Sequence, residues 1–228
     1  MKHYSIACEI SGPTARWTRP DTGDTPVSYP APTPGAVKGI FESIVWLKSA
    51  EVVPTRVEIC APLVFHTYST NYGGPLRKSK IMQKGSSYQL LATVLINVCY
   101  RVYGVVGGDQ AVDRRLSEAA KRQQLIAPNG AHAYQEMFER RLKNGQSHSM
   151  PFLGWKEFVP DYVGPFREET RVCTDISTVI PSMLWQVFPT GKFGTWQPAF
   201  RQNVKIEKGV QAGFGSQAPS SGWFRDLY

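Results

Sequence analysis

The sequence predicts an α+β protein with a mixed N-terminal domain over 1–155 and a small β-rich C-terminal lobe and tail over 156–228. Three observations carry that reading. Near the N-terminus, an alternating apolar stretch, a helix with a clear start signal and a second alternating stretch follow one another. Residues 90–106 form an apolar run rich in β-branched side chains, ended by Gly107-Gly108. From residue 156 onward only short strand-like stretches broken by proline and glycine remain. A chain of 228 residues with 42% hydrophobic and 12% aromatic content is globular rather than disordered.

Taken in order, His3 to Ile10 alternate as a first strand that Ser11-Gly12-Pro13 would end. Residues 11–35 hold six prolines and three glycines, which predicts a long ordered loop. Within it Arg16, Trp17 and Arg19 interleave cation and ring, a pattern suited to a nucleotide chain. Thr33-Pro34 then announces a helix, with threonine as N-cap and proline at the first helical position. Ala36, Ile40, Ile44 and Leu47 keep helical spacing, Gly39 would allow close packing on a sheet, and Lys38 adds a cation. A second strand runs from Pro54 to Ala61. Strand, helix, strand is the first half of a ferredoxin-like or RNA-recognition-type fold.

Residues 66–89 change character. Arg77, Lys78, Lys80 and Lys84 stand among Tyr68, Tyr72, Tyr88 and three glycines, with little apolar material to anchor them. This predicts a protruding basic hairpin or arm over about 66–89 that meets backbone phosphates. The apolar run 90–106 is one long strand or a strand pair, and two helices follow at 109–126 and 130–143. The second carries Tyr134, Phe138 and Leu142 on one stripe, which is a core face. Its end, Arg140, Arg141 and Lys143, runs into Gly145, a polar loop with Gln146 and His148, and an aromatic-rich strand through Trp155 and Phe158. Cations and backbone N–H groups beside stackable rings suit an anionic single strand.

Lysine and arginine number 26 against 18 acidic residues, so the chain carries +8 and a polyanionic partner is expected. Cys8, Cys60, Cys99 and Cys173 are scattered, without Cys-x-x-Cys spacing, so no metal, cofactor or redox pair is expected, and the first three look like small buried hydrophobes. No run has the length of a membrane span and no signal peptide is evident, which predicts a cytoplasmic protein. Phosphate-loop, nucleophile-elbow and zincin signatures are absent from the sequence.

Four stretches together resemble the Cas-five family of type I-C CRISPR systems (the d subfamily). They are the N-terminal strand with Tyr29-Pro30 and Thr33 to Trp46, the basic arm, Met137 to Arg141 running on to Phe158, and Ser182 to Trp185. The resemblance covers most of residues 1–210, and its specific part is the helix-to-strand motif. It implies a subunit of a Cascade surveillance complex that holds the 5′ handle of the CRISPR RNA. Such a subunit sits beside a backbone subunit of Cas-seven type and a large subunit of Cas-eight type, and meets target DNA only through the complex. It also implies metal-independent cutting of the precursor repeat RNA by 2′-hydroxyl attack, assisted by a tyrosine or histidine and a lysine–histidine pair. Here those positions are substituted. Val45 stands just before the tryptophan, and the pair falls on Ala133 and Tyr134, or on His132 when counted from Asn129. His132 and Tyr134 are therefore the candidate catalytic stand-ins, with His148 behind them, and binding without cutting is the favoured expectation.

Overall fold

The computed structural model describes residues 4–23, 25–47, 50–72, 88–107, 130–187 and 198–214. Within them the chain is a mixed α/β fold, mostly strands with two helices. The strands are β1 (Tyr4–Ala15), β2 (Trp17–Thr18), β3 (Ser28–Tyr29), β4 (Glu51–Ile59), β5 (Val64–Tyr72) and β6 (Tyr88–Gly107). After them come β7 (Tyr162–Gly164), β8 (Thr178–Gln186), β9 (Ala199–Ile206) and β10 (Val210–Ala212). The helices are α1 (Pro34–Ile44) and α2 (Gly130–Lys143).

An antiparallel sheet in the order β10-β4-β6-β1-β7 forms the centre, with β5 pairing the first half of β6. The apolar run 90–106 is thus one strand, long enough to take β5 and then β4 along one side. At their crossover β1's Pro13 has no N–H to give, and β6 passes through Asn97 with φ of 53°, a left-handed conformation that asparagine tolerates. Strands β7 and β10, both from beyond residue 155, complete the same sheet, and β8 and β9 form a separate hairpin.

Alternation along the strands sorts two faces. Ile6, Cys8 and Ile10 pair with Gly104, Val102 and Tyr100, and these point into the core under the helices. Gly104 serves a close approach: a Cβ there would stand 3.0 Å from the Phe41 ring. Phe41 of α1 and Phe138 of α2 meet edge to face at 5.7 Å, closing the helical layer. The other face is polar. There the fully buried Glu9 takes N–H bonds from Arg167 (Nε 2.6 Å, backbone N 3.1 Å) and from Arg101 (Nε 3.3 Å), and a 2.8 Å bond from the Thr170 hydroxyl.

Several sequence readings change. β1 runs through Ser11-Gly12-Pro13 instead of ending there, and the glycine lets Leu153 and Pro160 sit against the strand, since a Cβ would meet Leu153 at 2.7 Å. The supposed loop 11–35 contains the small β2–β3 ladder. Gly39 is on an open helix face, with nothing near a Cβ placed there. Residues 150–158 form turns, not a strand, with Leu153 N–H on the Phe158 carbonyl at 2.8 Å. Cys60 and Cys99 are half-buried on the polar face, and only Cys8 is the buried hydrophobe expected. The arm begins as the β5–β6 ladder, down to Tyr72 opposite Tyr88. Its tip, with Arg77, Lys78, Lys80 and Lys84, lies outside the described residues, as do the expected helix 109–126 and the tail beyond Phe214.

Candidate functional site

The two helices end side by side, and the glycine loop after α2 joins them. Thr33 caps α1 as expected, its hydroxyl accepting the Ala36 N–H at 3.2 Å. At the other end of α1 the carbonyls need donors, and α2 with its loop supplies them. Arg141 gives a guanidinium N–H to the Ile44 carbonyl at 2.7 Å, and the His148 backbone N–H reaches the same oxygen at 3.1 Å. Ser149 N–H bonds the Ser43 carbonyl at 2.9 Å, and the Tyr134 hydroxyl donates to the Val45 carbonyl at 2.6 Å.

The loop is positioned by the way α2 stops. Gly145 adopts φ of 63°, Gly145 N–H returns to the Leu142 carbonyl and Gln146 N–H to the Arg141 carbonyl at 2.8 Å. This glycine-dependent stop reverses the chain toward α1. His148 therefore arrives beside Trp46, the rings 6.3 Å apart by centroid and within 17° of parallel. Trp46 is exposed, as are His148, Gln146, Met150 and Phe152. Arg140 and Lys143 open on the neighbouring side of α2, lining a shallow concavity with Glu136 and Glu139. An exposed indole and imidazole beside Arg141, with Arg140 and Lys143 on the neighbouring side of α2, offers ring faces for a base and cations for phosphates.

Other predicted residues separate from this face. Tyr134 lies in the core with its hydroxyl committed to backbone carbonyls, and burial raises its pKa. His132 is exposed on the first turn of α2, roughly two and a half turns from Arg141; it sits edge-on to Tyr4 and 3.5 Å from Glu136. Val45 is buried. Arg16 and Trp17 are buried too: the Arg16 guanidinium lies 3.8 Å over the Trp155 ring, and Trp17 donates its indole N–H to the Tyr100 hydroxyl. Burial lowers the Arg16 pKa to about 10, with Tyr68 and Glu157 opposing that shift. Arg19 pairs with Asp21 at 2.7 Å, and Lys38 pairs with Glu51. Trp46 is the residue that site reasoning missed. Its signal was a large aromatic immediately beyond the apolar stripe of α1, where a helix ends and exposure begins.

The comparisons bear on the same elements. Residues 5–188 match the family model for the Cas5d form of CRISPR-associated protein (Cas_Cas5). A curated relative, the CRISPR pre-crRNA endoribonuclease Cas5d of Thermus thermophilus, is 28% identical over 161 residues. That match takes in 70% of this chain and 63% of the relative, so it spans less than two thirds of the relative's length. Among solved structures, a CRISPR-associated protein superposes with a TM-score of 0.66 at 17% identity, covering 93% of each chain. A chain of a CRISPR RNA-guided surveillance complex superposes with a TM-score of 0.53 at 15% identity, covering 90% of each. These two show a shared fold. Because the family model spans residues 5–188, from β1 past both helices to the end of β8, the chain belongs to the Cas5 family of CRISPR-associated proteins, in its Cas5d branch.

Proposed function

We propose that this chain is the subunit of a type I, I-C-like Cascade surveillance complex that holds the 5′ handle of the CRISPR RNA. The observation that carries the reading is the Trp46–His148 ring pair at the joined helix ends, beside Arg141. Family membership, the likeness to a surveillance-complex chain and the net charge of +8 support it. Bases would stack on the rings while phosphates meet the cations and the basic arm. On this reading the partners are the CRISPR RNA, a Cas-seven-type backbone subunit and a Cas-eight-type large subunit, with target DNA reached through the complex in the cytoplasm. The order β1-α1-β4-β6-α2-β7, with sheet order β4-β6-β1-β7, supports a ferredoxin-like, RNA-recognition-type core.

Binding without cutting is the reading we take. Val45 and Ala133 have no group to move a proton, and the Tyr134 hydroxyl is held by carbonyls. One observation favours the alternative, a metal-independent endoribonuclease on precursor CRISPR RNA: an exposed imidazole, His148, stands beside Trp46 next to the substituted position. The relative's name points the same way for that protein. The test is to incubate purified protein with its repeat RNA, with and without chelator, and to measure binding across salt. Salt-dependent preference for the handle end with intact RNA is the expected result. A product ending in a cyclic phosphate would overturn binding without cutting, and equal affinity for unrelated strands would overturn the proposal.

A further inference from the structure

On the polar face of the sheet, away from the candidate RNA-binding face, two cysteines 39 positions apart in sequence stand opposite each other. Ile59 pairs with Tyr100, so the next step along the strands sets Cys60 against Cys99, and the Cys60 N–H bonds the Cys99 carbonyl at 2.8 Å. Ile59 turns its own backbone the other way: its N–H goes to Gly209 and its carbonyl takes the Cys173 N–H. The Cys60–Cys99 position thus carries one backbone bond at the place where a hydrogen-bonded antiparallel pair would follow Ile59 and Tyr100. Such pairs hold their Cα atoms about 5.5 Å apart, within the span a disulfide bridges. Both residues are half-buried, and the Cys60 thiol donates to the Glu58 carbonyl of its own strand at 3.7 Å.

The surroundings make the two thiols unlike. An Arg167 guanidinium nitrogen lies 3.8 Å from the Cys99 sulfur, and Glu9 accepts from that sulfur at the same distance. The neighbouring Cys60 thiol, aided by Arg167 against burial and Glu9, holds the Cys99 thiol below its usual range. The Cys99 sulfur, with burial, pushes Cys60 up. Burial also raises Cys8, on the helix face, and Cys173. A thiolate-prone cysteine opposite a proton-holding one on the neighbouring strand is the arrangement of an attacking and a resolving thiol.

We propose that Cys60 and Cys99 form a peroxide-sensitive pair that closes to a reversible disulfide between the end of β4 and the middle of β6. The Cys99 thiolate attacks one oxygen of hydrogen peroxide. The O–O bond breaks, and the departing hydroxide takes a proton to become water, leaving a sulfenic acid on Cys99. The Cys60 sulfur then attacks the Cys99 sulfur, the S–O bond breaks, and a second water leaves with the Cys60 proton. Two thiols lose two electrons, and peroxide is reduced to two waters. A dithiol reductant reverses the bond by exchange.

The test uses the full reduced chain, treated with hydrogen peroxide, then digested without reductant and mapped by mass spectrometry. Free thiols should fall from four to two, with one cross-linked peptide pair joining Cys60 to Cys99, and dithiothreitol should restore all four. In Cys60→Ser, Cys99 should accumulate as a sulfenic acid that dimedone labels. In Cys99→Ser, Cys60 should stay reduced. Four thiols surviving peroxide, a cross-link to Cys173 of comparable yield, or a dimedone adduct on Cys60 would overturn the proposal. The wild-type map alone decides the pairing, so it stands even where a variant fails to fold.

Discussion

The imidazole of His148 lies nearly parallel to the indole of Trp46, at 6.3 Å between centroids, although the two residues belong to different connections of the chain. The contact exists because α1 and α2 end together and Gly145 turns the loop back over Ile44. Both rings sit at the surface, so little core energy depends on them. If a base stacks there, Trp46→Ala should weaken binding of the handle RNA about tenfold, from a stacking contribution of roughly 1–3 kcal/mol. The melting temperature should change little. Fluorescence anisotropy with labelled RNA, beside a thermal melt of the same sample, checks both, and an unchanged affinity would remove the ring pair from the binding face.

Tyr134→Phe separates a structural role from a chemical one. The hydroxyl donates to the Val45 carbonyl at 2.6 Å inside the core. Removing it leaves that carbonyl short of a donor and should cost about 1–2 kcal/mol of stability. RNA affinity, and any cleavage the wild type shows, should persist at temperatures where both proteins are folded. Loss of cleavage at full stability would instead make the phenol part of a reaction.

What the sequence made legible was local. The Thr33-Pro34 start of α1 and the glycine stop of α2 depend on neighbouring residues, and both appear where expected. The Tyr134–Phe138 stripe was likewise core, because helical periodicity is a property of one segment. Distant packing was not legible. Arg16 and Trp17 look like a cation–ring grip in sequence, but Trp155 and Tyr100, far along the chain, cover and bond them. Cys60 and Cys99 meet only through the β4–β6 register, which no spacing rule encodes. Trp46 and His148 face each other for the same reason: a loop some hundred residues away folds onto the end of α1.

The covered Arg16 also sets a severe steric test. Gly154 holds φ of 92°, and a Cβ there would stand 1.8 Å from the Arg16 carbonyl oxygen. That oxygen is backbone and cannot swing aside. Gly154→Ala should destabilise the protein by about 3 kcal/mol or more, combining left-handed strain with displacement of a buried segment. Chemical denaturation would show the midpoint falling, and a variant as stable as wild type would mean that residues 153–155 lie differently against β1.

Glu9 predicts how the fold responds to acid. Its carboxylate is fully buried on the polar face, which by itself would favour the neutral form. Bonds from Arg167, Thr170 and Arg101 outweigh that burial and hold its pKa below the ordinary 4.5. A carboxyl group with a depressed folded-state pKa contributes stability that is present above its unfolded value and lost as pH falls through the folded one. The wild type should therefore lose melting temperature progressively below about pH 4.5. Glu9→Gln leaves Arg101 and Arg167 without their anion and should cost about 3 kcal/mol near neutrality. Its deficit should then shrink as the pH drops, because the wild type is losing the same interaction. Melts of both proteins between pH 3 and 7 test this, and parallel curves across that range would show that the Glu9 charge does not hold the two arginines in place.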